Sequence, residues 1–551
     1  MGLYICLQIE KIMKKILAFV LGVVSINVVY SQAPFFTYTN YIGAFEPAPA
    51  QPWTDSWTNF DPQNTNYPNP TVSITSNITS NTTWTSNNVY LIDDQFIYVR
   101  NGATLTIEPG TIIRGTGKGT LIIERGSKIH AQGTVNNPIV FTSAAPAGMR
   151  DYGDWGGVVI CGAAQHNLAA GPNAIAEGGI GDANAGVGVH GGNNDEDNSG
   201  VFSYVRIEFP GISLTANSNS EINGLSMYSV GRQTKIDHIQ VSYSGDDSFE
   251  WFGGTVDAKY LVAYRGWDDD FDTDNGYRGR VQFAVSVRDP EIADQSGSNG
   301  FESDNDSQGT LNTPVTAPIF SNVTIIGPNY TGSSYTTASD YKRALHIRRN
   351  SSISVYNSIF TGYPDAGILL DSRRTVANYC NQDLQFKGNI LAGNTGVVKL
   401  ASNSDTLCVM NISELKNAID ADNDTLVNSN DVQLVDAFNN TLSNRDLRPT
   451  NGSIASTGAI WDFVDVFYGI EEGTSANLIE VYPNPASEII TIKVENAGKI
   501  QVLDMTGRLV YNVGTTIGKE SVVDVSKWSA GVYLVRVEVL GEVWTRKIVK
   551  R

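Results

Sequence analysis

Apolar residues in the middle of the chain fall in short clusters broken by Gly and Asn, with no sustained 3.6-residue spacing, so the pattern predicts strands and tight turns. Two series of clusters repeat. The first runs through 202–209, 236–243, 260–264, 281–287, 320–326, 353–360 and 384–391. The second is a shorter strand marked by Leu225, Phe249, Phe271, Phe301, Leu345 and Ile368. Its gaps are 24, 22, 30, 44 and 23 residues. They read as one unit of about 22, with 30 as a unit carrying a loop and 44 as two units.

A unit of that size built from short strands is one coil of a parallel β-helix. A single coil cannot bury its inward residues, whereas stacked coils pair every backbone group with the coils on either side and build a continuous apolar column. Leu105, Ile107, Ile112, Ile113, 121–123 and 139–141 extend the pattern upstream, which places the solenoid at 82–470. Stacked antiparallel sandwiches also use short strands, but the regular phase favours the solenoid. Residues 32–81, rich in Pro, Asn, Thr and Trp, are expected to cap the first coil. Residues 412–419 and 432–438 read as two short helices flanking a loop.

Both chain ends differ from this body. Lys11, Lys14 and Lys15 precede a short apolar run over 16–24, and Val29 and Ser31 suit cleavage before Gln32, so 1–31 reads as an export signal. The run is short for a membrane span, and no stable transmembrane segment is expected after cleavage. Met13 is a better start than Met1. Residues 476–551 alternate apolar and polar positions, as at 489–494, 500–503 and 532–537, and predict a small antiparallel β-sandwich of about seven strands.

The fold class is therefore all-β: a right-handed, single-stranded parallel β-helix followed by a small antiparallel sandwich. With 57 acidic and 38 basic residues in 551, the net charge is −19, which argues against nucleic acid or anionic membrane as partner and suits an extracellular protein that binds cations. An oxidising compartment permits a disulfide between Cys380 and Cys408, or both remain thiols; Cys161 falls in an apolar strand.

The tail resembles the type A C-terminal sorting domain of the type IX secretion system of Bacteroidota. The resemblance is carried by Val481-Tyr-Pro-Asn-Pro-Ala486, Leu503-Asp-Met-Thr-Gly-Arg508, Ser529-Ala-Gly-Val-Tyr-Leu534 and the basic end Arg546-Lys-Ile-Val-Lys-Arg551. It implies that the secretion machinery is a partner, and that the chain is anchored at the outer-membrane surface or released. The middle is similar to pectate-lyase-like β-helix cargo proteins through Leu105-Thr-Ile-Glu-Pro-Gly110, Asp154-Trp-Gly-Gly157, Val241 to Gly254 and Asp268 to Asp274. That likeness implies an architecture and no activity.

Candidate chemistry sits on the second series. Phe249-Glu250, Phe271-Asp272 and Phe301-Glu302 occupy one place in three coils, and neighbours on a strand point to opposite faces. Inward rings leave Glu250, Asp272 and Glu302 stacked outside, with Asp274 and Asp304 two residues on. Asp246, Asp247, Asp268, Asp269 and Asp270 lie on the preceding turns. Stacked carboxylates need neutralising. Ca²⁺ held by Asp246, Asp247, Asp268, Asp270, Asp272 and Asp274 does this; so do Arg265, Arg278 and Arg280; a third reading makes Glu250, Asp272 and Glu302 catalytic acids and bases. Trp251, Trp267 and Tyr277 either stack on sugars or pack internally.

A second Ca²⁺ candidate is Asp420, Asp422, Asp424, Asn428 and Asp431, at positions 1, 3, 5, 9 and 12 of a loop resembling one of a dockerin or EF-hand. It departs where Thr425 replaces the turn glycine, and a solvated acidic loop is the other reading. The run 190–198 reads as a flexible acidic surface insertion. His238 and His346 read as surface or satisfied core residues, and no GxSxG, HExxH, CxxC pair or P-loop is present. The sequence thus points to a secreted or surface β-helix that binds extracellular polysaccharide or acts in adhesion, with structural Ca²⁺; the alternative is a polysaccharide lyase or glycoside hydrolase.

Overall fold

The computed structural model describes residues 35–213, 221–329, 335–400, 408, 410–438, 445–461, 463, 479–483, 486–494, 499–504, 509–514, 520–529, 531–539 and 542–550. The predicted export signal lies outside them. The described residues form two bodies: Tyr38–Trp461, and the strands from Ile479 to Lys550.

The first body is a parallel β-helix. One sheet holds ten strands in strict chain order from Phe96–Val99 to Val398–Leu400. Its inward column runs Ile97, Leu121, Val158, Leu225, Phe249, Phe271, Phe301, Leu345, Ile368 and Val398, paired in register from coil to coil. The second series is thus this column. Phe301 pairs directly with Leu345, so the 44-residue gap is one coil carrying a long insertion and not two coils. Phe249, Phe271 and Phe301 lie with ring centroids 5.6 and 5.2 Å apart and are fully buried.

The first series forms the other faces. Strand Gly200–Glu208 pairs with Lys128–Gln132 through its first half and with Ile139–Ser143 through its second, so the chain bends between them. The bend residue is Tyr204, and His238, Tyr260, Phe283, Asn322 and Asn357 take the same place in later coils, all with φ between 50° and 62°. A left-handed side-chain residue costs about 1–2 kcal/mol. Stacking between rings offsets it here: centroids lie 4.1 Å apart for Tyr204–His238 and 4.4 Å for His238–Tyr260.

Coil pairing begins at Val72–Ile74, inside the segment read as a cap, and its last strand is Asp424–Leu426. Residues 38–60 do not sit on the first coil. They run along the flank, with Gly43 N donating to Asn357 O, Ala44 N to Thr324 Oγ1 and Asn59 N to Gln240 Oε1, and Trp57 buried against Tyr204 and His238. At the far end, helix α1 (Arg373–Cys380) and helix α2 (Ile412–Asp422) flank the last coils; Leu415 and Ile419 of α2 close the apolar column. The Cys380–Cys408 disulfide is formed, and Cys161 is a buried free thiol. Of residues 432–438 only Val432 is helical, ending a 3-10 turn from Ser429, and Leu434–Asp436 pairs antiparallel with Asp446–Pro449.

The C-terminal body has seven strands in sheets of three and four. Its alternation is that of a half-buried sheet: Ile490 and Ile492 are fully buried while Ile489 is exposed.

Candidate functional site

The outward rows of the ten-stranded sheet change character along the solenoid. Early coils present Ile122 and Val159, covered by Ala176 and Ile180 of an insertion that carries a short hairpin, Ala174–Ile175 with Val189–His190. Later coils present Ser226, Glu250, Asp272, Glu302 and His346 in one register row. Phe252 and Asp274 pair in the row beside it, and Asp304 and Arg348 follow at the same offset. Inward Phe rings fix this, because the residue after each must face outward.

Together with the preceding turns these rows line a cleft of about 980 Å³. Twelve carboxylates line it: Glu177, Glu221, Asp246, Asp247, Glu250, Asp268, Asp269, Asp272, Asp274, Asp294, Glu302 and Asp304. Facing them are three arginines, Arg343, Arg348 and Arg349, and His346. Asp246, Asp247 and Asp268 bring carboxylate oxygens within 4.8 Å of one another, and so do Asp247, Glu250 and Asp272. Asp247 and Glu250 are each only 8% exposed. Asp247 Oδ1 accepts the Asp269 amide at 2.8 Å, and Asn223 Nδ2 donates to Glu250 Oε2.

Burial and mutual repulsion push seven of the cleft acids strongly toward their neutral forms. Asp246, Asp247, Glu250, Asp268, Asp269, Asp272 and Asp274 are all raised well above the ordinary carboxylate range, first by burial and then by neighbouring acids. Glu302 is the exception. Burial raises it, but the His346 ring and the Arg348 guanidinium outweigh that, and its net shift is downward. His346 lies between two carboxylates, with Nδ1 3.3 Å from Glu302 Oε2 and Nε2 2.9 Å from Asp371 Oδ2. Arg348 Nε and Arg349 Nη1 reach Asp304 at 2.8 and 2.7 Å.

Of the sequence-predicted residues, the structure gathers Glu250, Asp272, Glu302, Asp246, Asp247, Asp268 and Asp274 in this cleft. Asp270 is not among them. It points into the solenoid, fully buried, where it pairs with Arg288 at 2.8 Å and accepts from Ser286. The strand begins at Phe271, so its alternation does not govern Asp270, which follows its partners Ser286 and Arg288 inward. Arg265, Arg278 and Arg280 do not compensate the cleft; they pair with Asp289, Asp195 and Asp257. Trp251 and Tyr277 are fully buried and stacked at 5.3 Å, so they pack; Trp267 is 39% exposed.

The 420–431 run does not fold as a calcium loop. Asp420 and Asp422 end helix α2, and Asp424 belongs to a solenoid strand paired with Ile390–Ala392. Asn428 and Asp431 bond to each other at 3.1 Å. Helix and strand pull these oxygens apart, so they form no convergent group among the described residues. The run 190–198 lies at the surface, with Asn193, Asn194, Glu196 and Asn198 exposed, but it is pinned: His190 is 1% exposed and contacts Ser229 Oγ at 2.9 Å, and Asp195 pairs with Arg278.

Sequence reasoning missed His346, Arg348, Arg349 and Asn223. The signal for His346 was present, since it follows Leu345 as Glu250 follows Phe249. Arg348 likewise follows His346 as Asp274 follows Asp272, while Asn223 and Arg349 had no repeat to mark them.

An acidic lateral cleft on a stack of parallel coils defines a β-helix protein. The model of the pectate-lyase-like β-helix domain matches residues 76–434, and the chain belongs to that family. Residues 480–551 match the secretion system C-terminal sorting domain, which marks the chain as type IX secretion cargo bound for the cell surface or extracellular space. No curated protein matches the chain. Among the described residues no helix is long and apolar enough to cross a membrane.

Proposed function

We propose that the solenoid is a calcium-loaded, glycan-binding surface or secreted protein whose ligand lies in the acidic cleft. One observation carries this: twelve carboxylates line the cleft against three arginines and one histidine. Two of those arginines and the histidine already serve Glu302, Asp304 and Asp371. When ionised, the remaining acids are neutralised by mobile cations, and an all-oxygen donor set suits Ca²⁺. Bound cations would present positive charge to the hydroxyl or carboxylate oxygens of a saccharide in a groove open at the side of the solenoid.

A second reading, polysaccharide lyase or glycoside hydrolase, is favoured by Glu302 and Asp272. They pair in register on adjacent coils, yet Glu302 is held down while burial and Glu302 push Asp272 up. Adjacent carboxylates driven apart can serve as base and acid. The full chain is incubated with a polysaccharide panel with and without EDTA, scoring binding, reducing ends and unsaturated products. Calcium-dependent retention without products is expected. Products lost in Glu302→Gln or Asp272→Asn would establish the enzyme, and retention unaffected by EDTA would remove the calcium-bridged ligand.

Two further outcomes are expected. Asp424→Asn with Asp431→Asn leaves Ca²⁺ stoichiometry unchanged in isothermal titration, because those oxygens do not converge. Deleting 476–551 leaves the protein in the periplasm, measured by fractionation, because the sorting domain is then absent.

A further inference from the structure

We propose that the cleft takes two divalent cations at once, an outer one among Asp246, Asp247 and Asp268 and an inner one among Asp247, Glu250 and Asp272, with Asp247 bridging them. This deepens the calcium reading above and rests on it.

The two groups of converging oxygens share Asp247 and no other residue. A carboxylate has two oxygens and about four lone-pair sites, so it can serve two ions. Asp247 is well placed to do so. Its Oδ1 is oriented by the Asp269 amide, and the carboxyl sits between the turn acids and the strand acids. Asp246 and Asp268 stand on successive turns 22 residues apart, while Glu250 and Asp272 pair in register on successive strands. The coil repeat therefore generates both groups, one on the turn and one on the sheet.

Charge decides between one ion and two. The five carboxylates carry −5 when ionised; one divalent ion leaves −3 and two leave −1. The arginines of the cleft that would otherwise offset this are committed further along the solenoid, to Glu302, Asp304 and Asp365.

An independent observation points to a ligand at the inner group. Asn223 is 3% exposed and lines the cleft; its amide nitrogen is spent on Glu250, and its Oδ1 is buried without a hydrogen-bond partner. A buried acceptor with no donor has given up its hydration with nothing in exchange. A neutral amide oxygen beside carboxylates is a familiar component of a Ca²⁺ shell, and a cation there satisfies it. Asp272 Oδ1 is likewise buried and unpartnered.

The test uses the full chain, CaCl₂ titrations by calorimetry, and Tb³⁺ luminescence with Ca²⁺ competition. Two ions per chain are expected for the parent protein. Asp268→Asn should lose the outer ion, and Asp272→Asn the inner one, each keeping one ion with affinity changed less than tenfold. Asp247→Asn, which retains an acceptor for the Asp269 amide, should weaken both at least tenfold. Should that variant fail to fold, the other two decide. One ion in the parent overturns the two-ion site and leaves the calcium reading standing. No ion overturns both.

Discussion

Removing divalent cations at pH 8 is expected to lower the melting temperature by on the order of 5–10 °C, and acidifying the metal-free protein to pH 5 is expected to recover part of that loss. A ligand present at a thousand times its Kd stabilises the folded state by about 4 kcal/mol. In large domains each kcal/mol shifts Tm by about 2 °C or more. The pH arm follows from the acids themselves. Seven cleft carboxylates are raised well above the ordinary range by burial and by each other. A raised folded-state value means the folded chain holds protons that the unfolded chain has released. That stability is fully present below about pH 4 and is lost as pH rises through the folded values. His190 works the other way: burial and then His166 depress it to about 3, so the folded chain, which keeps it neutral, loses stability against the protonating unfolded chain below about pH 6.5. At pH 5 that one group costs at most about 2 kcal/mol, against seven carboxylates moving in the opposite direction. Calorimetry with EDTA at pH 8, 6.5 and 5 checks this. A melting point that ignores both chelator and pH would remove the case for a strained, cation-requiring cleft.

Asp270→Asn is expected to destabilise the solenoid by about 3–5 kcal/mol while leaving Ca²⁺ stoichiometry untouched. Asp270 and Arg288 are both fully buried, 2.8 Å apart. Arg288 also donates to Tyr341 Oη at 3.3 Å and to Trp267 O at 3.2 Å, with its guanidinium 5.0 Å from the Tyr341 ring centroid. Those neutral contacts cannot balance its charge once the carboxylate is gone. Urea unfolding measures the loss, and titration calorimetry measures the ions. A loss under about 1 kcal/mol, or a missing ion, would contradict the inward assignment of Asp270. The contrast with Asp268→Asn, two residues earlier, separates a side chain that holds the coil together from one that lines the cleft.

The solenoid was legible because its inward column is chemically uniform. Leu225, Phe249, Phe271, Phe301, Leu345 and Ile368 announce their register by type alone, and the outward acids then follow from strand geometry. What stayed hidden was set by contacts distant in sequence. Three consecutive acids, Asp268 to Asp270, look equivalent on paper. Only the start of the strand and the presence of Arg288 turn the third one inward. The spacing of the 420–431 run suits a calcium loop, but pairing of Asp424–Leu426 with Ile390–Ala392 overrides local preference. The basic end of the cleft was obscured by the 44-residue gap. Reading it as two coils left His346 in the row of Glu302 but one coil too far away to touch it.

The flank segment has a consequence for biogenesis. Ile42 N donates to Ala455 O and Ala48 N to Pro449 O, and Ile42, Phe45 and Trp57 share an apolar cluster with Leu434, Leu447 and Ala455. The early and late parts of the body are thus sewn together by a seam more than four hundred residues apart in sequence. Such closure is slow, because the intervening loop must be ordered first. A polypeptide delivered N-terminus first cannot complete that seam until residues 449–455 have followed.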